Sequence, residues 1–200
     1  MKIGILGGTF NPIHNGHIQL AQYCKNELLL DKIFLIPTYT PPHKISKDLA
    51  DETHRLTMCS LASENLDDFE VCDIEIKRQG KSYTFETLIS LKELYPDDEF
   101  YLIMGADMFL TLDKWKNPES IFANAVIITI PRNDSDKEEL EIYYNAVIKN
   151  MGAKAVILPN NVQTVSSTFI RENIGDYNTI SDLIDKKVYE YIISNNLYRK

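Results

Sequence analysis

Residues 7–17 combine residue types that can hold a phosphate group. They read Gly-Gly-Thr-Phe-Asn-Pro-Ile-His-Asn-Gly-His and follow a short apolar run. Two glycines let the backbone turn tightly and approach a phosphate without a Cβ in the way. His14 and His17 stand three residues apart at the start of a helical pattern, so both imidazoles can face one point. The helix amino terminus adds unpaired N–H groups and a partial positive charge there, which predicts a phosphate site.

Such a loop suits phosphoryl-group chemistry. This chemistry depends on positioning and charge stabilisation more than on covalent help from protein. Two imidazoles and several backbone donors could hold the α- and β-phosphates of a triphosphate while the α-phosphorus is attacked in line. An ordinary turn and histidines that cap or pack would explain any one of these residues, but not the whole run. The P-loop pattern GxxxxGK[ST] does not occur, which disfavours a kinase or ATPase of that class.

Two polar segments could contribute further anion-binding groups. Residues 41–44 read Pro-Pro-His-Lys, in which the prolines stiffen a loop that presents His43 and Lys44 to a phosphate. The lysine alone would be an ordinary solvated side chain. Residues 166–171 read Ser-Ser-Thr-Phe-Ile-Arg, a helix start that capping by hydroxyls would fully explain. Arg171 lies one turn on, so its guanidinium could return toward an anion at that helix start.

Two other segments could bind a nucleoside or a flat ring. Residues 82–88 read Ser-Tyr-Thr-Phe-Glu-Thr-Leu, in which Thr84 could simply cap the helix that follows. Residues 105–108 read Gly-Ala-Asp-Met after an apolar strand, where Asp107 could grip a ribose. Trp115 is the only tryptophan; by default it would be a core residue, but its indole also suits stacking on a flat ring.

Together these segments resemble the bacterial nicotinate-nucleotide adenylyltransferases. That family belongs to the nucleotidyltransferase superfamily, whose (H/T)xGH signature is matched by residues 14–17. The motifs PPHK, SYTxxTL, GxD with the tryptophan, and SSTxIR spread the resemblance over most of the chain. Asn11 departs from the pattern, because many superfamily members have aspartate there. Asparagine keeps hydrogen bonding but lacks the charge on which a metal or ribose role would depend.

The resemblance implies a role for each matched residue. The implied catalytic residues are His14 and His17. The implied ATP-binding residues are Gly8, Thr9, Phe10, His14, His17, Gly105, Asp107, Ser167, Thr168 and Arg171. The implied phosphate-binding loop contains His43 and Lys44. The residues implied to hold the nicotinate nucleotide are Tyr83, Thr84 and Trp115. The backbone and hydroxyl near Tyr83 and Thr84 are implied to meet the pyridine carboxylate, and the tryptophan is implied to stack on the pyridine ring.

The reaction that the resemblance implies is a direct displacement in NAD biosynthesis. The 5′-phosphate of nicotinate mononucleotide attacks the α-phosphorus of ATP, so that deamido-NAD forms and pyrophosphate leaves. That phosphate is already ionised at neutral pH, so no general base is expected. Mg²⁺ is expected to travel with the ATP phosphates and water rather than in a protein cage. No cluster of His, Cys and carboxylates predicts a metal site.

Two alternatives share part of this pattern. Another HxGH adenylyl- or cytidylyltransferase, acting on nicotinamide mononucleotide or pantetheine phosphate, would not call for PPHK, SYTxxTL and the tryptophan together. A catalytically silent nucleotide sensor would be expected to lose a histidine or the distal arginine, yet both histidines and Arg171 remain.

The elements that must position these residues follow an α/β pattern. Strands are predicted at residues 3–6, 33–36, 69–76, 99–104, 125–130 and 155–158. Helices are predicted at about 18–28, 52–65, 85–94 and 134–150, with two more at the end of the chain. Near-continuous apolar strands that alternate with helices predict a parallel sheet covered on both faces. The expected fold is one doubly wound, Rossmann-like domain over residues 1–200, with ligands beyond the carboxyl ends of the strands.

Composition narrows the possible partners and the compartment. The 200 residues are 44% hydrophobic and 25% charged, an ordinary globular balance, and the formal net charge is −8. That acidic balance argues against a nucleic-acid partner. Neither a signal peptide nor a membrane span is visible, so a cytoplasmic protein is expected. No CxxC pair occurs among Cys24, Cys59 and Cys72, which are expected to be buried free thiols. His54 and Arg55, at a predicted helix start, could touch a phosphate, but a solvated or capping role is expected.

Overall fold

Six parallel strands form the sheet that carries the site. The structure, a computed structural model, describes residues 1–41, 48–159 and 165–199. The strands are β1 (Lys2–Gly8), β2 (Lys32–Pro37), β3 (Phe69–Val71), β4 (Glu99–Gly105), β5 (Val126–Ile130) and β6 (Ala155–Ile157). All neighbouring pairs are parallel, in the order β3-β2-β1-β4-β5-β6. The prediction of a doubly wound α/β sheet is confirmed.

The strand order reverses between β1 and β4. β2 and β3 extend the sheet on one side of this point, and β5 and β6 extend it on the other. Connections that leave the two central strands on opposite faces open a crevice beyond the carboxyl ends of those strands. β1 ends at Gly8 and β4 ends at Gly105. Two glycine-containing segments that the sequence singles out therefore meet at this crevice.

Helices cover both faces of the sheet. Within the described residues they are α1 (Asn15–Leu28), α2 (Glu52–Ser63), α3 (Ile74–Arg78), α4 (Thr84–Leu94), α5 (Ala106–Phe109), α6 (Pro118–Asn124), α7 (Asp134–Ala146), α8 (Ser167–Glu172), α9 (Tyr177–Ile180) and α10 (Lys186–Ser194). Successive strand side chains point to opposite faces, so Leu6 packs with α1, α2 and α10 while Ile3 and Ile5 pack with α4, α6 and α7. This burial on both faces explains why the strands read as continuous apolar runs.

The segment predicted as one strand over residues 69–76 divides into a strand and a helix. β3 pairs with β2 only from Phe69 to Val71, and the amide of Cys72 then donates to the carbonyl of Leu35 over 2.9 Å. The chain leaves the sheet there and enters α3, so the strand prediction for residues 72–76 is wrong. The alternation continues past the last residue that pairs with β2, and local alternation does not show where the pairing of an edge strand ends.

The sequence also predicts the state of the cysteines, the number of helices at the end of the chain and the lack of a membrane span. Cys24 and Cys59 are buried free thiols, as predicted, whereas Cys72 is free but only partly buried, just after the edge strand β3. Three helices rather than two follow residue 165, because α9 is a separate single turn. No helix within the described ranges is both long enough and apolar enough to cross a membrane.

Candidate active site

A cavity of about 630 Å³ opens at the carboxyl ends of β1 and β4. This volume is typical of small-ligand sites. The predicted site residues that line it are Gly8, Thr9, His14, His17, Tyr83, Thr84, Gly105, Asp107 and Trp115. Four separate stretches of sequence are thus brought to one place by the topology of the sheet.

His14 and His17 form a reciprocal cap at the start of α1. The amide of His17 donates to Nδ1 of His14, and the amide of His14 donates to Nδ1 of His17, each over 3.3 Å. Their rings stack with centroids 3.6 Å apart. Because both Nδ1 atoms accept a hydrogen bond, the proton of each neutral ring lies on Nε2. Two Nε2–H groups are therefore left to donate to a ligand in the cavity.

Both imidazoles are neutral near pH 7. Burial lowers the pKa of His14 from 6.5 to about 4. Burial, and secondly the proximity of His14, holds the pKa of His17 well below its usual value. The site therefore offers two N–H dipoles, not two cations, to an arriving nucleotide.

Phe10 supports His17 from the core. Its backbone is left-handed, with φ of 48°, and its ring is buried. The ring meets that of His17 edge to face, with centroids 5.1 Å apart. A Cβ on residue 8 would lie only 3.0 Å from the same ring, so the glycine at this position makes space for the Phe10 ring. Because the Phe10 ring is used in packing, any contact of this residue with ATP would come from its backbone.

Asn11 joins four parts of the chain by hydrogen bonds. Its Nδ2 donates to the carbonyl of Asp48 over 3.0 Å. Its Oδ1 accepts from the amide of Ala50 over 3.0 Å and from the hydroxyl of Tyr198 over 2.8 Å. Its carbonyl accepts from Nη1 of Arg171 over 2.7 Å. Both halves of the side-chain amide are in use, and an aspartate here would lack the donor that reaches Asp48.

Helix α8 is tied to the histidine loop but lines a neighbouring cavity. Oγ of Ser167 donates to the carbonyl of Pro12 over 3.0 Å. Nη2 of Arg171 donates to Oγ1 of Thr168 over 3.3 Å. Thr168 and Arg171 line a second cavity of about 410 Å³ rather than the main one. These three predicted residues therefore lie beside the histidines, connected to their loop through the carbonyls of Asn11 and Pro12.

Asp107 faces a guanidinium in the cavity lining. Nη2 of Arg132 lies 2.7 Å from Oδ1 of Asp107, and Nη1 lies 3.3 Å from Oδ2. Nε of the same arginine donates to Asp136 over 3.1 Å. Arg132 follows β5 and lines the cavity with Asp107, although none of the sequence motifs includes it. The two-point contact holds the Asp107 carboxylate in a defined orientation.

Aromatic side chains also line the cavity. Tyr83 and Thr84 stand at the start of α4 and line it together with Trp115. In the same lining, Oγ1 of Thr87 donates to Oε1 of Glu75 over 2.6 Å. Glu75 is 6% exposed, and burial raises the pKa of its carboxyl group. A flat ring could enter beside these aromatic side chains, near a buried carboxyl group of which one oxygen, Oε2 of Glu75, has no hydrogen-bond partner.

The structure does not describe every predicted site residue. His43 and Lys44 lie outside the described residues. Within residues 1–41, 48–159 and 165–199, no group of three or more His, Cys, Asp and Glu side chains is placed to hold a metal ion.

The family of the chain follows from two comparisons with known sequences. The family described as Cytidylyltransferase-like matches residues 5–173. A probable nicotinate-nucleotide adenylyltransferase of Clostridium tetani is 38% identical over 198 residues, covering 99% of each chain. One of Flavobacterium johnsoniae is 41% identical over 200 residues, covering 100% of each. The chain belongs to the nicotinate-nucleotide adenylyltransferase family.

Solved structures share the fold of this family member. Two are of the nicotinic acid mononucleotide adenylyltransferase of Plasmodium falciparum, one complexed with APC and one with NaAD. Both have a TM-score of 0.78, 22% identity, and cover 98% of this chain and 96% and 97% of their own. At this identity the likeness concerns the fold.

Arg55 supports the site of this nicotinate-nucleotide adenylyltransferase family member from within α2. It is 1% exposed, so the expectation of a solvated or capping residue is wrong. Its Nε donates to the carbonyl of Ala50 over 2.9 Å, and its Nη2 donates to that of Tyr39 over 3.0 Å. Its Nη1 donates to the carbonyls of Thr9 over 2.9 Å and Thr38 over 2.6 Å. One guanidinium thus fastens the loop after β1 to the loop after β2.

Replacing Arg55 should destabilise the fold strongly. Arg55→Met removes every donor and leaves buried carbonyls unsatisfied, so the free energy of unfolding should fall by about 3 kcal/mol or more. Arg55→Lys keeps the charge but not the planar fork, so we expect an intermediate loss. Urea denaturation measures both. Arg199→Met is the matched control, because Arg199 is exposed and donates to Asn196 at the surface; its effect should stay within about 0.5 kcal/mol. Equal effects of Arg55→Met and Arg199→Met would contradict the bracing role.

The free energy of unfolding should decrease as the pH is lowered, because His14 is buried as a neutral group. Its pKa is 6.5 in the unfolded chain and about 4 when folded, so the unfolded state binds more protons between those values. The contribution of His14 is therefore intact above about pH 6.5 and is lost as pH falls through about 4, amounting to about 2 kcal/mol by pH 5. His14→Asn keeps a good helix cap without the titration. Urea unfolding between pH 7.5 and 4.5 should show a shallower decline in His14→Asn than in the unaltered chain. Parallel declines would mean that His14 is not buried as a neutral group.

Proposed function

We propose that this chain transfers the adenylyl group of ATP to nicotinate mononucleotide, giving deamido-NAD and pyrophosphate. The observation that carries the proposal is the His14–His17 pair, whose Nε2–H groups are left as donors in the lining of a cavity that Tyr83 and Trp115 also line. Curated relatives named for this activity match the whole chain, which supports the same assignment. Electrostatic stabilisation by preorganised donors is the main catalytic resource that the site offers.

The reaction is a single displacement at the α-phosphorus. An oxygen of the mononucleotide 5′-phosphate forms the new P–O bond, and the bond to the β-phosphate oxygen breaks. The attacking phosphate is ionised near pH 7, so no side chain has to remove a proton. His14 and His17 donate to the oxygens on which charge gathers, without a change in their own protonation. Mg²⁺ enters as the ATP complex, as part of the substrate.

The remaining site residues hold the two substrates. Asp107, oriented by Arg132, accepts hydrogen bonds from the hydroxyls of the ATP ribose. Gly8 and Gly105 allow the nucleotide to approach the backbone at the two strand ends. Ser167, Thr168 and Arg171 receive the outer phosphates. Tyr83, Thr84 and Trp115 enclose the pyridine ring, for which stacking on an indole provides both contact area and orientation.

Pyrophosphate release tests the proposal directly. The purified chain should release pyrophosphate with ATP, Mg²⁺ and nicotinate mononucleotide. Nicotinamide mononucleotide and phosphopantetheine are offered in parallel. Turnover with phosphopantetheine alone would overturn the acceptor, and a preference for the amide would change the acceptor while keeping the chemistry. ATP binding without turnover on any acceptor would indicate a sensor.

His17→Asn separates the chemical role of this histidine from its capping role. The asparagine Oδ1 can replace Nδ1 as acceptor for the amide of His14, but no group replaces Nε2–H. We expect kcat to fall about 100- to 1000-fold, as for loss of one preorganised donor. The midpoint of urea unfolding at pH 7.5 should stay close to that of the unaltered chain. A normal kcat, or a loss explained by unfolding, would remove His17 from the chemistry.

A further inference from the structure

Lys116 holds a cation beside the aromatic side chains that line the cavity. It follows Trp115 and lines the same cavity as Tyr83 and Thr84. Its Nζ lies 4.0 Å from the centroid of the Tyr83 ring and 5.6 Å from that of Phe85. An ammonium over the face of an aromatic ring is attracted by the negative charge of that face. The cation is therefore directed toward the place where a pyridine ring would stack.

The charge of Lys116 is not neutralised by a nearby carboxylate in the described part of the chain. No ion pair of Lys116 occurs there within 4.0 Å, whereas other lysines form such pairs: Lys25, Lys32, Lys77, Lys186 and Lys187. The cavity contains two carboxylates, and each has other partners. Asp107 is paired with Arg132, and Glu75 accepts from Thr87.

The electrostatic field beside these aromatic side chains therefore favours an anion. Both histidines are neutral near pH 7. The hydroxyl of Thr87 that donates to Glu75 also accepts from Nη2 of Arg78 over 3.0 Å, so the Glu75 carboxyl group has its own cation nearby. Lys116 is then the group that distinguishes an anionic ligand from a neutral ligand of the same shape. A nicotinate ring carries a carboxylate, and a nicotinamide ring carries a carboxamide of nearly equal size. Size alone separates the two poorly, whereas charge separates them directly.

We propose that the Lys116 ammonium selects a pyridine mononucleotide carrying a carboxylate over one carrying a carboxamide. The inference rests on the proposed function for the identity of the substrates. Lys116 acts on binding of the ring and leaves the displacement at phosphorus to the histidines. Because Lys116 is exposed, solvent screens the attraction, and we expect a discrimination of about tenfold, equivalent to about 1.4 kcal/mol.

The test compares both mononucleotides in two charge-altering variants. Lys116→Met removes the charge and keeps an unbranched stem, and Lys116→Arg keeps the charge. In Lys116→Met, kcat/KM for the acid should fall about tenfold, while that for the amide changes less than twofold. Lys116→Arg should keep the preference within about threefold. Added NaCl should reduce the preference in the unaltered chain and not in Lys116→Met. Lys114→Met is the matched control, since Lys114 is exposed and does not line the cavity.

A binding measurement separates this inference from the proposed function. Trp115 is the only tryptophan and lines the cavity, so its fluorescence reports ring binding without turnover. If no turnover occurs but the ratio of the two Kd values falls in Lys116→Met, the proposed function fails and the selection by Lys116 stands. If turnover occurs and Lys116→Met lowers kcat/KM equally for acid and amide, or changes neither, the selection is overturned. Failure of both mononucleotides to bind would overturn it as well.

Discussion

The guanidinium of Arg55 satisfies carbonyl oxygens that the sheet itself cannot satisfy. Parallel strands end at the same edge, so the loops that follow β1 and β2 run side by side without a ladder to pair their backbones. A buried unpaired carbonyl is costly, and one planar cation with five donors can serve several at once. Arg55 does so for Thr9, Thr38, Tyr39 and Ala50. The position of the histidine loop relative to the strand ends depends on this bracket.

On that base, one pair of side chains serves both the fold and the chemistry. His14 and His17 satisfy amide groups at the start of α1 through Nδ1. The same bonds determine which nitrogen carries the proton, and so determine that Nε2 donates. The burial that keeps the rings neutral also excludes water, which would otherwise compete for their hydrogen bonds. A helix start that needs its donors capped is thereby also a site with two aligned donors facing the crevice.

Sequence patterns predicted the parallel sheet, its burial on both faces and the loop that carries both histidines, because apolar runs and glycine-rich turns are local signals. The strand predicted through residues 72–76 was wrong because local alternation does not say where a pairing partner ends. Arg55 was misplaced although it lies four residues before buried Cys59, on the buried stripe of α2. The prediction relied on the charge of Arg55 and not on its position on that stripe. The carbonyls that satisfy the guanidinium come from distant loops. Lys116 belongs to no sequence motif, because its contact with an aromatic ring depends on Tyr83, which lies thirty-three residues earlier in the chain. The site roles inferred by resemblance, including those of His43 and Lys44, stay predictions.

The bond between Tyr198 and Asn11 gives the carboxyl-terminal turn a part in local unfolding. Although Tyr198 and Asn11 are separated by 187 positions, the Tyr198 hydroxyl and the Ala50 amide donate to the same side-chain oxygen of Asn11, and the carbonyl of Asn11 accepts from Arg171. Fraying of the last turn would therefore loosen the loop that carries the histidines, and ordering of that loop would protect the last turn. We therefore expect amide hydrogens near the end of the chain and those in the first loop to exchange through a shared local opening. A nucleotide bound at the strand ends would slow exchange at the far end of the polypeptide.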